Sequence, residues 1–139
     1  MTIKIKFDIE IINFLGIFDQ ITRVHASDCF KQDKRLVFVV AEGMAGKAVG
    51  KAGQNIKKLE TMLKKKIKIV EKNDDLIIFV NNVIHPNKAK EITEEDDIVT
   101  ITPVDSITRG YLIGREAVNL RNYEKIVKRY FDIKEIKVV

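Results

Sequence analysis

Hydrophobic positions along the chain change period several times, and each change marks an element. From Ile9 onward, Ile11, Phe14, Leu15, Phe18 and Ile21 recur at three- and four-residue intervals. That is the spacing of one helix face, with Asp8 placed to cap it. Val24–Phe30 and the run RLVFVVAE (Arg35–Glu42) read as strands, the second the clearer. GMAGKAV reads as a short helix ending at Gly50. Gln54–Lys65 reads as a longer helix with Ile56, Leu59 and Leu63 on one face, and Lys66–Glu71 alternates lysine with apolar residues as a strand does. LIIFVNNVI (Leu76–Ile84) is ambiguous, because its β-branched content favours a strand by propensity alone.

An internal repeat resolves that ambiguity. At an offset of 64, GKAVGKAGQNIKKLE from Gly46 lies on GYLIGREAVNLRNYE from Gly110 without a gap. Gly46 meets Gly110, Gly50 meets Gly114, Lys51 meets Arg115, Asn55 meets Asn119, and Glu60 meets Glu124. Such self-similarity indicates two copies of one supersecondary unit. Leu76–Ile84 then occupies the place of the first helix and is predicted helical, ending at Pro86. Lys88–Thr93 and Ile98–Pro103 follow as paired strands across the acidic turn Glu94–Asp97. Asp105 or Ser106 caps a short helix to Ile113, Val118–Tyr130 is a second helix, and Ile133–Val138 a last strand. The predicted fold class is α+β: two modules, residues 1–72 and 73–139, each α-β-β-α-α-β. Only Lys72-Asn73-Asp74 joins them, a linker short enough to favour one rigid body.

Charge sharpens this picture. The chain of 139 residues carries a formal net charge of +5. Residues 43–72 hold nine lysines against two glutamates, and residues 73–108 two lysines against eight acidic residues. Residues 109–139 are again basic, with eight Lys or Arg against four acidic residues. Basic blocks suit a polyanion, although a lysine-rich helix face also serves solubility. No apolar run approaches the ~18–20 residues that a membrane span needs. The N-terminal stretch MTIKIKFDIEIINF lacks the apolar segment and cleavage site of a signal peptide, so a cytoplasmic protein without a membrane partner is expected.

Between the two consecutive helices of the first module stands Gly50-Lys51-Ala52-Gly53. Glycines lack Cβ, so they take left-handed dihedrals and let a sugar-phosphate backbone come close. The helix that follows offers free N–H groups and the positive end of its dipole. Lys51 adds charge, and Lys47, Lys57 and Lys58 widen the basic rim. A lone G-x-x-G is also an ordinary helix–helix turn, but here it comes with flanking GQNIKKLE, strands on both sides and a second copy in register.

The element order and this loop resemble a type II KH module, whose GXXG loop clamps the backbone of about four unpaired nucleotides. The tandem arrangement is similar to the KH pair of the NusA family. Over residues 5–139 the chain resembles archaeal NusA-like proteins, and GKAVGKAGQNI is its most specific string. The resemblance implies a protein that binds single-stranded RNA in transcription elongation, termination or antitermination. RNA polymerase or another transcription or ribosomal protein would be its partner. It places RNA on Gly50, Lys51, Ala52, Gly53, Gln54, Asn55 and Ile56, beside an apolar groove lined by Val37 or Val39 and by Val49. The second loop departs from the pattern: Gly114-Arg115-Glu116-Ala117 loses the last glycine and gains an acid. Glu116 would repel a phosphate that Arg115 and Arg121 attract, so these residues form a candidate second RNA site or a structural copy.

Other readings stay open on the residues. A ribosome-associated KH protein of RNA maturation, a protein-interaction adaptor docking through acidic residues 91–97, and a single-stranded DNA binder all fit. Catalysis finds little support: there is no GKS/T-ended P-loop, HExxH or metal-ligand set, so no enzyme, cofactor or metal is expected. Cys29 alone makes no disulfide framework and reads as a small core hydrophobe. His25 and His85 show no partner pattern, and nothing demands a dimer, so a monomer is expected.

Overall fold

Asp8 opens the first helix, its carboxylate accepting the Ile11 N–H at 2.8 Å. Helix α1 then runs Ile9–Thr22 and buries Ile11, Phe18 and Thr22. The computed structural model describes residues 8–139; the alternating Lys–Ile stretch at the N-terminus lies outside them. Arg23, in the left-handed conformation at φ 61°, ends the helix. The Thr22 hydroxyl accepts the Val24 N–H at 3.0 Å. That local turn holds Val24 out of the sheet, so strand β1 spans Ala26–Gln32 and starts two residues later than its composition suggests.

Strands β2 (Arg35–Val40) and β3 (Lys66–Glu71) complete a three-stranded sheet of order β1-β2-β3. β1 and β2 pair antiparallel, Phe30 opposite Val37. β2 and β3 pair parallel, Val37 opposite Lys68. A parallel pair cannot be joined by a tight turn and needs a crossover. Helix α2 (Ala45–Val49), a tight turn over Lys51–Gly53, and helix α3 (Gln54–Leu63) supply it. The glycine loop thus sits inside the crossover that the sheet requires. Leu36, Phe38 and Val40 of β2 join Phe18, Ala48 and Leu59 in a core cluster. Phe18 stacks on Phe38 with ring centroids 4.4 Å apart.

The second unit, from Asn73, repeats the order. Helix α4 is Leu76–Ile84, as the repeat predicts. The Asp75 carboxylate accepts the Ile78 N–H at 3.1 Å. Phe79, Val80, Val83 and Ile84, one helical face, are fully buried. Tertiary burial of that face outweighs the strand propensity of its β-branched residues. Strands β4 (Ala89–Glu95), β5 (Ile98–Pro103) and β6 (Glu135–Val138) form a sheet of order β4-β5-β6 with the same antiparallel and parallel pairings. Helices α5 (Ser106–Ile113) and α6 (Val118–Lys128) flank a second tight turn, Arg115–Ala117.

Further boundaries differ from expectation, among them β6, which starts at Glu135 and not Ile133. The acidic turn shrinks to Asp96-Asp97, both at positive φ (53° and 65°), as a two-residue hairpin turn requires. Glu94 and Glu95 belong to β4. Helix α6 stops at Lys128, and Phe131 beyond it packs its ring 5.6 Å from that of Phe79.

Candidate nucleic-acid interface

Three helices take an aspartate cap: Asp8 on α1, Asp75 on α4 and Asp105 on α5. The two helices that follow the glycine loops take none. Gly53 stands at the N-cap of α3 and Ala117 at that of α6, and no side chain caps either helix. An aspartate there would put a carboxylate where an anionic ligand would sit. Without it, no side-chain carboxylate screens the positive dipole end of a ten-residue helix from a phosphate.

The loop backbone is specific. Gly50 lies at φ 79°, ψ 166°, Ala52 at φ 55°, ψ 29° and Gly53 at φ 72°, ψ 19°, before Gln54 returns to the right-handed region. Within this turn the Gly50, Gly53 and Gln54 N–H groups donate to the Gly46, Gly50 and Lys51 carbonyls, which fixes its shape. Each glycine has its own reason. A Cβ on Gly50 would lie 2.8 Å from Cγ of Asn55, whereas a Cβ on Gly53 would meet nothing within 4 Å. Sterics and dihedral together therefore call for glycine at position 50, whereas at position 53 the dihedral merely favours it. The side chain of Asn55 explains the close approach: its Nδ2 donates to the Lys47 carbonyl at 3.3 Å, clasping α2 to α3 across the loop. The start of α2 is fixed from the sheet, because the Ala45 N–H donates to the Glu71 carboxylate of β3 at 2.9 Å.

The second loop has the same backbone. Gly114 lies at φ 73°, ψ 175°, Glu116 at φ 55°, ψ 29° and Ala117 at φ 61°, ψ 23°. Asn119 Nδ2 donates to the Tyr111 carbonyl at 2.8 Å, and a Cβ on Gly114 would meet Asn119 Cγ at 2.8 Å. Ala117 holds the left-handed conformation without a glycine, so the change of sequence leaves the loop's shape intact.

Side chains expected at the first site fall into three groups. Lys47, Lys51, Ala52 and Gln54 are exposed around the loop, with Gly50, Gly53, Val49 and Ile56 half-buried beneath. Lys57 and Lys58 are also exposed, but they line a hollow of about 320 Å³ together with Ile21, Thr61 and Met62, on the α1 side of α3. Asn55 uses its amide within the loop. Val37 and Val39 correct the expectation outright: both are 0% exposed. The odd positions of β2 point away from the Leu36–Phe38–Val40 core face and are covered as well, so neither residue lines a surface that a base could reach. At the second site Arg115 and Glu116 are exposed. Arg121 is partly neutralised, its Nη1 lying 3.2 Å from Oε1 of Glu124.

The repeated glutamate, Glu60 and Glu124, has a role that the sequence pattern alone does not suggest. Glu60 Oε2 accepts the Ile67 N–H at 3.3 Å, and Glu124 Oε2 accepts the Ile136 N–H at 2.9 Å. Each ties the helix after its loop to the neighbouring parallel strand. Their alignment in the repeat, with Glu60 four residues into the amphipathic helix face from Ile56, was the available signal.

Comparisons with known proteins bear on this geometry. The KH domain family model matches residues 15–91. The probable transcription termination protein NusA of Methanocaldococcus jannaschii is 33% identical over 98% of this chain and 76% of its own length. That of Thermoplasma acidophilum is 29% identical over 97% of this chain and 96% of its own. The crystal structure of APE1850 is similar at a TM-score of 0.77, with 28% identity, covering 96% of this chain and all of that one.

Proposed function

As the chain belongs to the KH-domain family, we propose that it binds single-stranded RNA in transcription termination and that the second unit is a second, tandem KH module. The NusA relatives support the cellular role by their names. The observation that carries RNA binding is the loop Gly50–Gly53. Its backbone turns through two left-handed residues, Ala52 and Gly53, into a helix that no side chain caps, with exposed Lys51 beside it. A phosphate would sit at the positive end of the α3 dipole and pair with Lys51, while Lys47 adds a second cation at the rim. The bases would extend over Val49 and Ile56, and the buried Val37 and Val39 take no part. No step here calls for bond chemistry.

Fluorescence anisotropy with short labelled RNA tests this reading. The variant Lys51→Asp with Ala52→Asp places two carboxylates at the phosphate position. Aspartate tolerates the left-handed conformation of Ala52 better than alanine does, so the fold should survive. Loss of one charge-assisted hydrogen bond is worth about 1.5–3 kcal/mol, so affinity should fall at least about tenfold. A variant with a native circular dichroism spectrum and unchanged affinity would sink the reading. Matched DNA, measured alongside, reports whether a 2′-hydroxyl is recognised.

A protein partner is the second reading, and one observation favours it. Strand β4 is an edge strand, and Glu91, Glu94 and Glu95 with Asp96 and Asp97 are exposed along it and its turn. Glu94→Lys with Glu95→Lys should weaken retention of RNA polymerase on the immobilised protein, and unchanged retention would remove this reading.

A further inference from the structure

The two loops share a backbone and differ in what surrounds it. At the offset of 64, Gly43, Lys47 and Gln54 of the first unit correspond to Ile107, Tyr111 and Val118 of the second. These three are exposed at 71%, 63% and 43%. Ile107 and Tyr111 stand four residues apart on α5, hence on one helical face, and Val118 opens α6 directly after the loop. Where the first unit surrounds its loop with a lysine and small or polar residues, the second presents an aromatic ring and two apolar side chains.

The charge at the loop changes in the opposite sense. Gly-Lys-Ala-Gly carries one positive charge, while Gly-Arg-Glu-Ala carries none, and Glu116 takes the same φ 55°, ψ 29° as Ala52. A carboxylate at that place weakens a phosphate clamp. Two arginines nevertheless stand in this stretch: Arg109 replaces Ala45 of the first unit, and Arg115 is exposed. The base of Tyr111 is held, because its carbonyl accepts from Asn119. Its backbone is therefore held and its ring is exposed, with Arg109 and Arg115 within four residues of it along the chain.

We infer that Tyr111 is a base-stacking residue of the second unit, taking an unpaired nucleobase of RNA where the first unit grips a phosphate. This rests on the reading of the chain as an RNA-binding protein and adds to it a contact of different chemistry. Every base has a π-face, so a stacking platform accepts any of them, and the contact is insensitive to salt because no counterion is displaced. Arg109 and Arg115 draw the backbone near without holding a phosphate in the loop.

Four full-length proteins test it against the same short RNA: wild type, the Lys51→Asp, Ala52→Asp variant, Tyr111→Ala and Tyr111→Phe. Stacking lost by alanine substitution should lower affinity about tenfold, with Phe retaining it and the slope against salt unchanged. RNA should also shift the Tyr111 ring protons upfield in NMR spectra. If Tyr111→Ala binds as wild type does while the loop variant loses affinity, the inference fails and the loop reading stands. If the loop variant binds normally and Tyr111→Ala does not, the loop reading fails and the inference stands. Equal losses for Tyr111→Phe and Tyr111→Ala would overturn stacking in favour of the hydroxyl.

Discussion

Gly50 and Gly53 stand three residues apart in one loop and should respond very differently to the same substitution. At Gly50, alanine would meet φ 79°, ψ 166°, a region that only glycine enters freely, and would place Cβ 2.8 Å from Asn55 Cγ. Asn55 would have to move and release the Lys47 carbonyl. Backbone strain of about 1–3 kcal/mol joins a lost hydrogen bond of about 0.5–1.5 kcal/mol. At Gly53, alanine meets open space at φ 72°, ψ 19°, and Ala117 already occupies the matching place. Left-handed strain there is about 1–2 kcal/mol. The reduced freedom of the unfolded chain offsets about 0.4–1 kcal/mol of either change. At the middle of these ranges Gly50→Ala should cost about 1.5 kcal/mol more than Gly53→Ala. Native-state hydrogen exchange at the β2 amides reports the opening free energy of the first unit in the intact chain. Gly114→Ala, read at β5, should behave as Gly50→Ala does. Equal losses for Gly50→Ala and Gly53→Ala would refute the clasp as the reason for the first glycine.

Other expectations follow from particular contacts. Removing the acceptor by Glu124→Ala should cost about 1–3 kcal/mol, because the Ile136 N–H is left unpaired, whereas Glu124→Gln should recover most of it; similar urea midpoints for the two would refute that role. Burial, reinforced by the charge of Arg35, lowers Lys68 from 10.5 to about 8. The folded state releases this proton first, so stability should rise between pH 8 and 10.5 and this contribution should be flat below, and Lys68→Gln should remove the rise. An unchanged pH profile of urea midpoints in that variant would contradict it. Lys51→Ala should lessen the slope of log affinity against log salt by about 0.7, the value for one cation on a single strand, and an unaltered slope would take Lys51 off the phosphate. Only Lys72, Asn73 and Asp74 lie between β3 and the Asp75 cap of α4, so backbone NMR relaxation should give both units one correlation time; two distinct times would refute this.

The sequence made the periodic elements legible, and the repeat decided the one element where propensity pointed the wrong way. LIIFVNNVI reads as strand residue by residue, and only its place in the second copy marked it helical. The loop was legible too, because two glycines before a basic amphipathic helix are a local signal. Burial across the sheet was misread. Val37 and Val39 alternate with Leu36 and Phe38, which invites one buried and one open face, yet Leu36 to Val40 are all without exposed surface. The unbroken apolar run RLVFVV was the signal, since a strand covered on both faces reads as continuous rather than alternating. The roles of Asn55 and Glu60 could not be read locally. One reaches a carbonyl eight residues back, and the other a strand amide beyond the helix end. Both were visible as repeated positions, but only the folded crossover says what they hold.

Comparing the two copies separates what this crossover demands from what it leaves free. The first glycine and the asparagine five residues on are kept in both loops, and both enter one steric and hydrogen-bonded clasp. The three residues after that glycine are under no such demand. Ala52 and Glu116 take identical dihedrals, Gly53 and Ala117 nearly so, and a Cβ at Gly53 touches nothing. Packing therefore does not select Lys51-Ala52-Gly53 in one loop or Arg115-Glu116-Ala117 in the other. A difference in residues that the fold does not fix has to be sought in what the loops face. The first faces outward with a lysine, and the second with an arginine and a glutamate of no net charge beside an exposed tyrosine. Two loops of one shape thus present two chemistries, and exchanging Lys51-Ala52 with Arg115-Glu116 should exchange their salt sensitivity while leaving both units folded.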